Sequence, residues 1–409
     1  MKKIISVVLC LALLFALAAC AGQGAAPAPA PAPAAPDGQA DAPADGAIAL
    51  GAATFDQLMQ MDWAEIEEHA IAEGGLAFWV WHNEIGFREL TDAFTARFGI
   101  PVDLLVSEKT AGEMMALAEA GSAAGSLDVM TIGGEFVVAA MGANLFSGPI
   151  LDKMQEGQHL DPALRVMQEG LAHHGYIVPV YLNQTGLLFN PQQVENPPQT
   201  WEELEAWIDA NPLRFGFSTA AGGGTGQAMV QSVIEFTTGG LDQYHGHTEV
   251  APELREGWDV VWEWFNERSD RVTITTSNID SISRLNQGEL HMVVAWNDQA
   301  YNLINQGELF ADAILYVPQF GMVGGGDTMG LLANAPNPAA GLLFLNWITS
   351  TEGQSVMVEV MQNFPAHTGV PTAHTLLDPA DMENRVSWIP AVYKAQFIED
   401  FTREVLMGG

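Results

Sequence analysis

Cysteine is almost missing from this sequence: Cys10 and Cys20 are the only two among 409 residues. A disulfide framework is thereby excluded, because Cys10 sits in an apolar leader and a processed chain would keep one thiol. Basic residues are scarce as well, with 15 Lys and Arg against 50 Asp and Glu and a formal net charge of −35. A polyanion of this kind repels phosphate backbones and anionic lipid, so no nucleic acid is expected as a partner. The acidity fits either a solubility or salt adaptation or a field that draws in cationic ligands. Long apolar runs are lacking too. Ile4 to Leu17 falls short of the roughly 20 residues that cross a bilayer, and nothing later in the chain is long and apolar enough to do so. With Lys2 and Lys3 before it and small residues after it, this run reads as a secretory signal over 1–19.

What is present begins at the end of that leader. Leu17-Ala18-Ala19-Cys20 resembles a bacterial lipobox, in which Cys20 is lipidated and becomes the first mature residue. Several acyl chains on one residue anchor firmly, whereas a single chain anchors marginally. Residues 20–53 are then dominated by Ala, Pro, Gly and Asp. Such a segment cannot bury apolar surface, and its prolines favour about 3.1 Å per residue, enough for a tether on the order of 100 Å. The chain is therefore expected on the outer face of a cell membrane, extracellular or periplasmic, held by lipid.

The remaining residues, about 350, exceed one ordinary core and call for two lobes. Asp62 with Glu65 marks a capping box in an N-terminal helical segment over 54–73. LAFWVW (76–81) reads as a buried strand, followed by a helix with Phe87, Leu90, Phe94 and Phe98 on one face. IPVDLLV (100–106), a helix around GEMMALAEA and the run LDVMTI (127–132) continue the alternation. Strand, helix, strand, helix, strand predicts a parallel α/β sheet. Further on come the extended run GYIVPVYLNQTGLLFN (175–190), a helix capped by Thr200 and Glu203, helices over Thr225 to Phe236 and Pro252 to Arg268, and strand-length runs at 291–296 and 313–318. Two abutting helices follow, capped by Asn337 and Ser350.

Four stretches resemble the extracellular solute-binding proteins of ATP-driven importers, family 1. YLNQTGLLFNPQQVENPPQTWEEL is similar to that family's crossing segment, GELHMVVAWNDQA to its strand and turn ending in Trp, and ILYVPQFG to its returning crossover. ANAPNPAAGLLFLNWITSTEGQ is the most specific of the four. DWAEIEEHA and DVMTIGGEFVVAAMGANLFSGPI are similar to the uncharacterised YnjB-type branch, related to thiamine and polyamine binders. Met130-Thr131 and Gly134 depart from that branch's pattern. The resemblance implies a type II periplasmic-binding-protein-like fold. It has two α/β lobes joined by hinge strands, lobe 1 at about 74–181 plus 318–350 and lobe 2 at about 182–317 plus 351–409, closing on a ligand between them. It further implies a small-molecule solute, ABC permease transmembrane subunits with their ATPase as indirect partner, a monomer, no cofactor and no enzymatic activity.

Open α/β sheets bind ligands beyond the carboxyl ends of their strands. The candidate ligand residues are therefore Trp79, Trp81, Asn83 and Glu84 after the first strand, and Gly134, Glu135 and Phe136 after the third. Tyr181, Asn183 and Thr185 stand at the crossing, and Trp296, Asn297 and Asp298 after the second-lobe strand. Indole faces attract cations and carboxylates accept charge-assisted bonds from amines, so cationic nitrogenous solutes of thiamine or polyamine type come first and sugars second. Each Trp also has a plain reading as core.

Other chemistry fits less well. STAAGGGTGQAMV places Thr225 and Gly226 at a helix start that can hold an anion or ligand. It fails as a P-loop at Gln227 and as a dinucleotide fingerprint at Met229. GFSTA misses the nucleophile elbow at Ala220. His173-His174 and His245-Gly246-His247 have no third metal ligand spaced with them and are expected in surface loops, so no metal is expected. A secreted enzyme and a sensing lipoprotein without a transporter stay open as rivals. If Cys20 carries the anchor, Cys20→Ala moves the protein from the membrane to the soluble fraction of cells; continued membrane retention contradicts the lipobox reading.

Overall fold

The structure of the chain, a computed structural model, describes residues 48–80, 84–107, 125–372 and 375–408. The expected helix around GEMMALAEA lies outside them. The strands are β1 (Leu76–Val80), β2 (Val102–Val106), β3 (Val129–Ile132), β4 (Met167–Gln168), β5 (Leu171–Ala172), β6 (Ile177–Pro179), β7 (Tyr181–Phe189) and β8 (Phe215–Ser218). They continue as β9 (Val272–Thr275), β10 (Met292–Trp296), β11 (Ile314–Tyr316), β12 (Met322–Gly325), β13 (Thr328–Leu331), β14 (Phe364–Pro365) and β15 (Arg385–Ser387). One sheet runs β2-β1-β3-β13-β6. The other runs β15-β12-β7-β10-β8-β9, with β11 and β14 also paired to β7. As the alternation predicts, β1 lies parallel to both β2 and β3. The fold is the two-lobe α/β architecture expected from the sequence.

Side-chain alternation in β1 divides the first lobe. Phe78 and Val80 point into a core formed with helices Glu84–Phe98, Pro338–Ile348 and Thr351–Met361. Trp79 points to the opposite face, among Met130, Ile132, Val137 and Phe146. Of the predicted stripe, Phe87, Leu90 and Phe94 are fully buried and Phe98 is half-buried. Phe78 meets Phe87 at 5.7 Å between centroids, and Phe94 meets Phe344 edge-on at 5.1 Å. Each such ring removed from water contributes about 1.5–3 kcal/mol. In the second lobe Trp258, Val261, Trp262 and Phe265 are buried as their spacing predicts. Their helix is split into Pro252–Glu256 and Asp259–Glu267, with Gly257, a poor helix former, at the break.

The boundaries between lobes differ from expectation at three places. The N-terminal segment is part of the first lobe, since Leu58, Ile66 and Ala70 are buried in its core. Residues 322–325, expected in lobe 1, form β12 and pair with β7 of the second sheet, so this crossover falls at Gly326–Asp327 instead of 317–318. Helix Thr351–Met361, expected in lobe 2, buries Met357, Val358 and Met361 in the first core. In each case the partner that decides the matter is remote in sequence. One histidine also differs: His173 is fully buried, bonded through Nε2 to the Leu164 carbonyl at 2.9 Å and accepting from the Gly175 N–H, whereas His174 is exposed as expected.

Capping shows the same division between local and remote. Asp62 and Glu65 form the predicted reciprocal box, as do Thr200 and Glu203. Asn337 makes no side-chain cap bond. Asp128 instead accepts from the Asn337 N–H at 2.6 Å, and Glu73 accepts from the N–H groups of Ala339 and Ala340 at 3.1 and 2.7 Å. Burial pushes the Glu73 carboxyl up to about 7, against the lowering effect of those two bonds. The folded chain then holds this proton more tightly than the unfolded chain does. Glu73 therefore contributes a loss of stability as pH rises from about 4.5 to about 7. Between those pH values Glu73→Gln should gain on the parent by about 1 kcal/mol, after discounting for the part-exposed carboxyl. Parallel pH profiles in urea titrations would contradict this.

Candidate functional site

Among the described residues, three passages between the lobes meet at the start of β7. The first runs from β6 through Val180 into Tyr181. The second runs from β12 through Gly326 and Asp327 into β13, and its Asp327 carbonyl accepts from the Val180 N–H at 3.0 Å. The third brings Phe364 and Pro365 alongside Leu182 and Tyr181. Residues 181–184 thus touch all three of these passages.

Two carboxylates lie at this junction. The buried Tyr181 hydroxyl donates to Asp327 Oδ2 at 2.6 Å. Asn183 Nδ2 donates to Asp298 Oδ1 at 2.8 Å. Burial, followed by the charges of Asp327 and Asp298, raises the Tyr181 phenol well above its ordinary value, so it stays a donor. Asp298 stands in the first turn of helix Asn297–Asn305, directly after β10. Beside it Trp296 is half-buried, its ring edge so near Gly224 that a Cβ there would lie 2.8 Å from the indole. The junction therefore carries two carboxylates, held by neutral donors, and an aromatic face.

Other candidates are placed differently. Trp79 is 1 % exposed and fills the core behind the first sheet. Its Nε1 is buried without a hydrogen-bond partner. Trp81 and Asn83 lie outside the described residues. Glu84 opens helix Glu84–Phe98, and Gly134 and Glu135 open helix Gly134–Gly142, each directly after a strand of the first sheet. Phe136 is half-buried against the cluster around Trp79. Thr185 is buried and donates to the Val323 carbonyl at 2.6 Å, which ties β7 to β12. Asn297 is buried too, its Oδ1 accepting from the Thr375 hydroxyl at 2.7 Å and the Leu376 N–H at 3.0 Å.

The glycine-rich stretch has its amides engaged from within. The Thr225 N–H donates to Asn278 Oδ1 at 3.2 Å, the Thr225 hydroxyl to the same oxygen at 2.8 Å, and the Gly226 N–H to Ser218 Oγ at 3.0 Å. A Cβ at Gly226 would come within 2.2 Å of the Ser218 carbonyl. Close packing of the helix start on β8 accounts for glycine here, with side chains taking the place of an anion.

Asp327 escaped the sequence reading, although the run Gly324-Gly325-Gly326-Asp327 between two apolar runs was its signal. A cavity of about 70 Å³ flanks the same glycines, bounded by Gln168, Glu169, His245, Arg385 and Trp388. A larger one of about 300 Å³ lies away from the junction, between residues 51–55 and 332–338, and no ionisable side chain lines it. Among the described residues no group of three His, Cys, Asp or Glu is arranged to hold a metal, and no helix is long and apolar enough to cross a membrane.

The profile of the bacterial extracellular solute-binding proteins matches residues 89–384. No curated protein sequence matches the chain. Among solved structures, an ABC transporter protein from Clostridium perfringens is 16 % identical with a TM-score of 0.63, covering 81 % of this chain and 99 % of its own. The spermidine/putrescine substrate-binding protein PotD from Streptococcus pneumoniae is 14 % identical with a TM-score of 0.63, covering 81 % and 98 %. Iron-bound HitA from Pseudomonas aeruginosa is 18 % identical with a TM-score of 0.56, covering 81 % and 99 %. At these identities the likeness is one of fold. The profile match spans most of the sequence, and the chain belongs to the bacterial extracellular solute-binding proteins, which act outside the cytoplasm as the solute-capturing components of ABC importers and not as enzymes.

Proposed function

We propose that this protein is a lipid-anchored, monomeric receptor that captures a cationic nitrogenous solute between its lobes and presents it to an ABC permease. The observation that carries the reading is the pair Asp298 and Asp327 at the hinge, held by Asn183 and Tyr181 beside the half-buried Trp296. Both carboxylates offer acceptor oxygens and negative charge, for which an ammonium or thiazolium group is a natural partner. The Trp296 face adds about 0.5–2 kcal/mol for a cation stacked on it. Trp81, Asn83, Glu84 and Glu135, which follow the first and third strands in the sequence, are the candidates for the first lobe's share of the site. Solute bridging both lobes stabilises their closed arrangement by its differential contacts. The anchor rests on the lipobox at Cys20, and the extended tether over 20–53 gives the lobes their reach. Similarity to the YnjB-type branch and the polyamine designation of one structural relative point the same way as the carboxylates.

A thermal-shift screen decides between solute classes, with spermidine, putrescine and thiamine on one side and glucose and maltose on the other. A ligand at about 1,000 times its dissociation constant adds roughly 4 kcal/mol to stability. An amine or thiamine is expected to raise the melting temperature, and Asp298→Asn is expected to weaken that ligand at least about tenfold, near 1.4 kcal/mol. Stabilisation by a sugar alone, or undiminished affinity in Asp298→Asn, overturns the cationic reading.

A further inference from the structure

Between Leu160 and Ile177 the chain leaves the first lobe, crosses to the second and returns. Leu160 is buried in the first core, and the Asp161 N–H is held there by the Ala366 carbonyl at 2.8 Å. Ile177 is back among the residues around Trp79. Between these points the backbone lies directly on the second lobe. The Gly246 N–H donates to the Gly170 carbonyl at 3.2 Å, and Gly170 comes so close that a Cβ would lie 3.2 Å from both the His245 ring and Pro390. Gln168 Nε2 donates to the Gly326 carbonyl at 2.9 Å, in the second crossover itself.

Two ion pairs bridge this strap to the second lobe. Asp161 Oδ2 meets Arg385 Nη2 at 3.2 Å, with side chains 23 % and 21 % exposed. Glu169 Oε2 meets Lys394 Nζ at 3.3 Å, with side chains 9 % and 15 % exposed. The Lys394 ammonium also sits 4.7 Å above the Trp388 ring. Helix Ala391–Phe401, which carries Lys394, packs against helix Gly134–Gly142 of the first lobe. With 15 basic residues against 50 acidic ones in the chain, two lobes brought together repel. Here two of the few cations are set where the second lobe meets carboxylates of the first.

We propose that this strap is an electrostatic latch. Its two ion pairs hold the second lobe against the first without solute, so solute affinity is tuned by Asp161 and Lys394 at a distance from Asp298 and Asp327. The latch does not depend on which solute is bound. Salt weakens it, because the screening length falls from about 10 Å at 0.1 M to about 3 Å at 1 M ionic strength, and the pairs are only partly shielded from solvent.

The test uses the full chain in its Cys20→Ala form, without added solute, spin-labelled at Asp92→Cys on the first lobe and Asn305→Cys on the second. Electron–electron distance distributions are recorded at about 0.1 M and about 1 M NaCl. The parent is expected to show a short-distance population that shrinks with salt. Asp161→Asn combined with Lys394→Gln is expected to lower the ratio of short to long distances about fivefold at low salt, the scale of a modest coupling. Glu169→Lys combined with Lys394→Glu rebuilds one pair with its sign reversed and should restore the short population. Distributions that are the same in parent and neutralised variant at both salts, or a charge reversal that fails to restore the short distance in a protein with an unchanged circular dichroism spectrum, overturn the latch.

Discussion

Segments from both lobes converge on the first four residues of β7. Tyr181 and Leu182 pair with β14, Asn183 and Gln184 pair with β12, and the strand beyond them is clamped between β10 and β11. A strand held on both edges is stiff over its far half, so rotation of one lobe against the other concentrates at its near end. Tyr181 and Asn183 hold the two carboxylates there. The donors that orient these carboxylates belong to the strand at which the passages meet.

Acidity shapes the rest. A chain with so few cations has to place them with care, and the described ion pairs cluster in two kinds of place. Some are local surface pairs such as Arg284 with Asp280, four residues apart on one helix, which contribute little. Others join distant segments, as Arg255 does in reaching the buried Asp400, and as Arg385 and Lys394 do across the lobes. The second kind orders the tertiary arrangement. Removing such a cation strips counter-charge from a poorly hydrated carboxylate.

Much of the secondary structure was legible because its causes are local. Apolar spacing placed Phe87, Leu90 and Phe94 on one helix face, and Thr200 with Glu203 announced a helix start by chemistry confined to four residues. The parallel α/β character of the first sheet followed from alternation. Of the candidate site residues, Tyr181, Asn183, Trp296 and Asp298 lie together where the passages meet, while Thr185, Asn297, Thr225 and Gly226 carry the polar residue types of a site and serve structural bonds. Residue type and position after a strand do not distinguish a hydroxyl aimed at solute from one that satisfies a neighbouring carbonyl.

The sequence by itself determined the acidic, cysteine-poor character of the chain, its two-lobe α/β class and the helix starts that depend on neighbours within four residues, since composition and periodicity act through near neighbours. Tertiary structure alone decided which lobe owns β12 and helix Thr351–Met361, that Asp128 and Glu73 replace Asn337 as the cap, and that Asp327 joins Asp298 at the hinge. Those outcomes depend on partners more than a hundred residues apart, brought together by burial of apolar faces and by the need of every buried polar group for a partner.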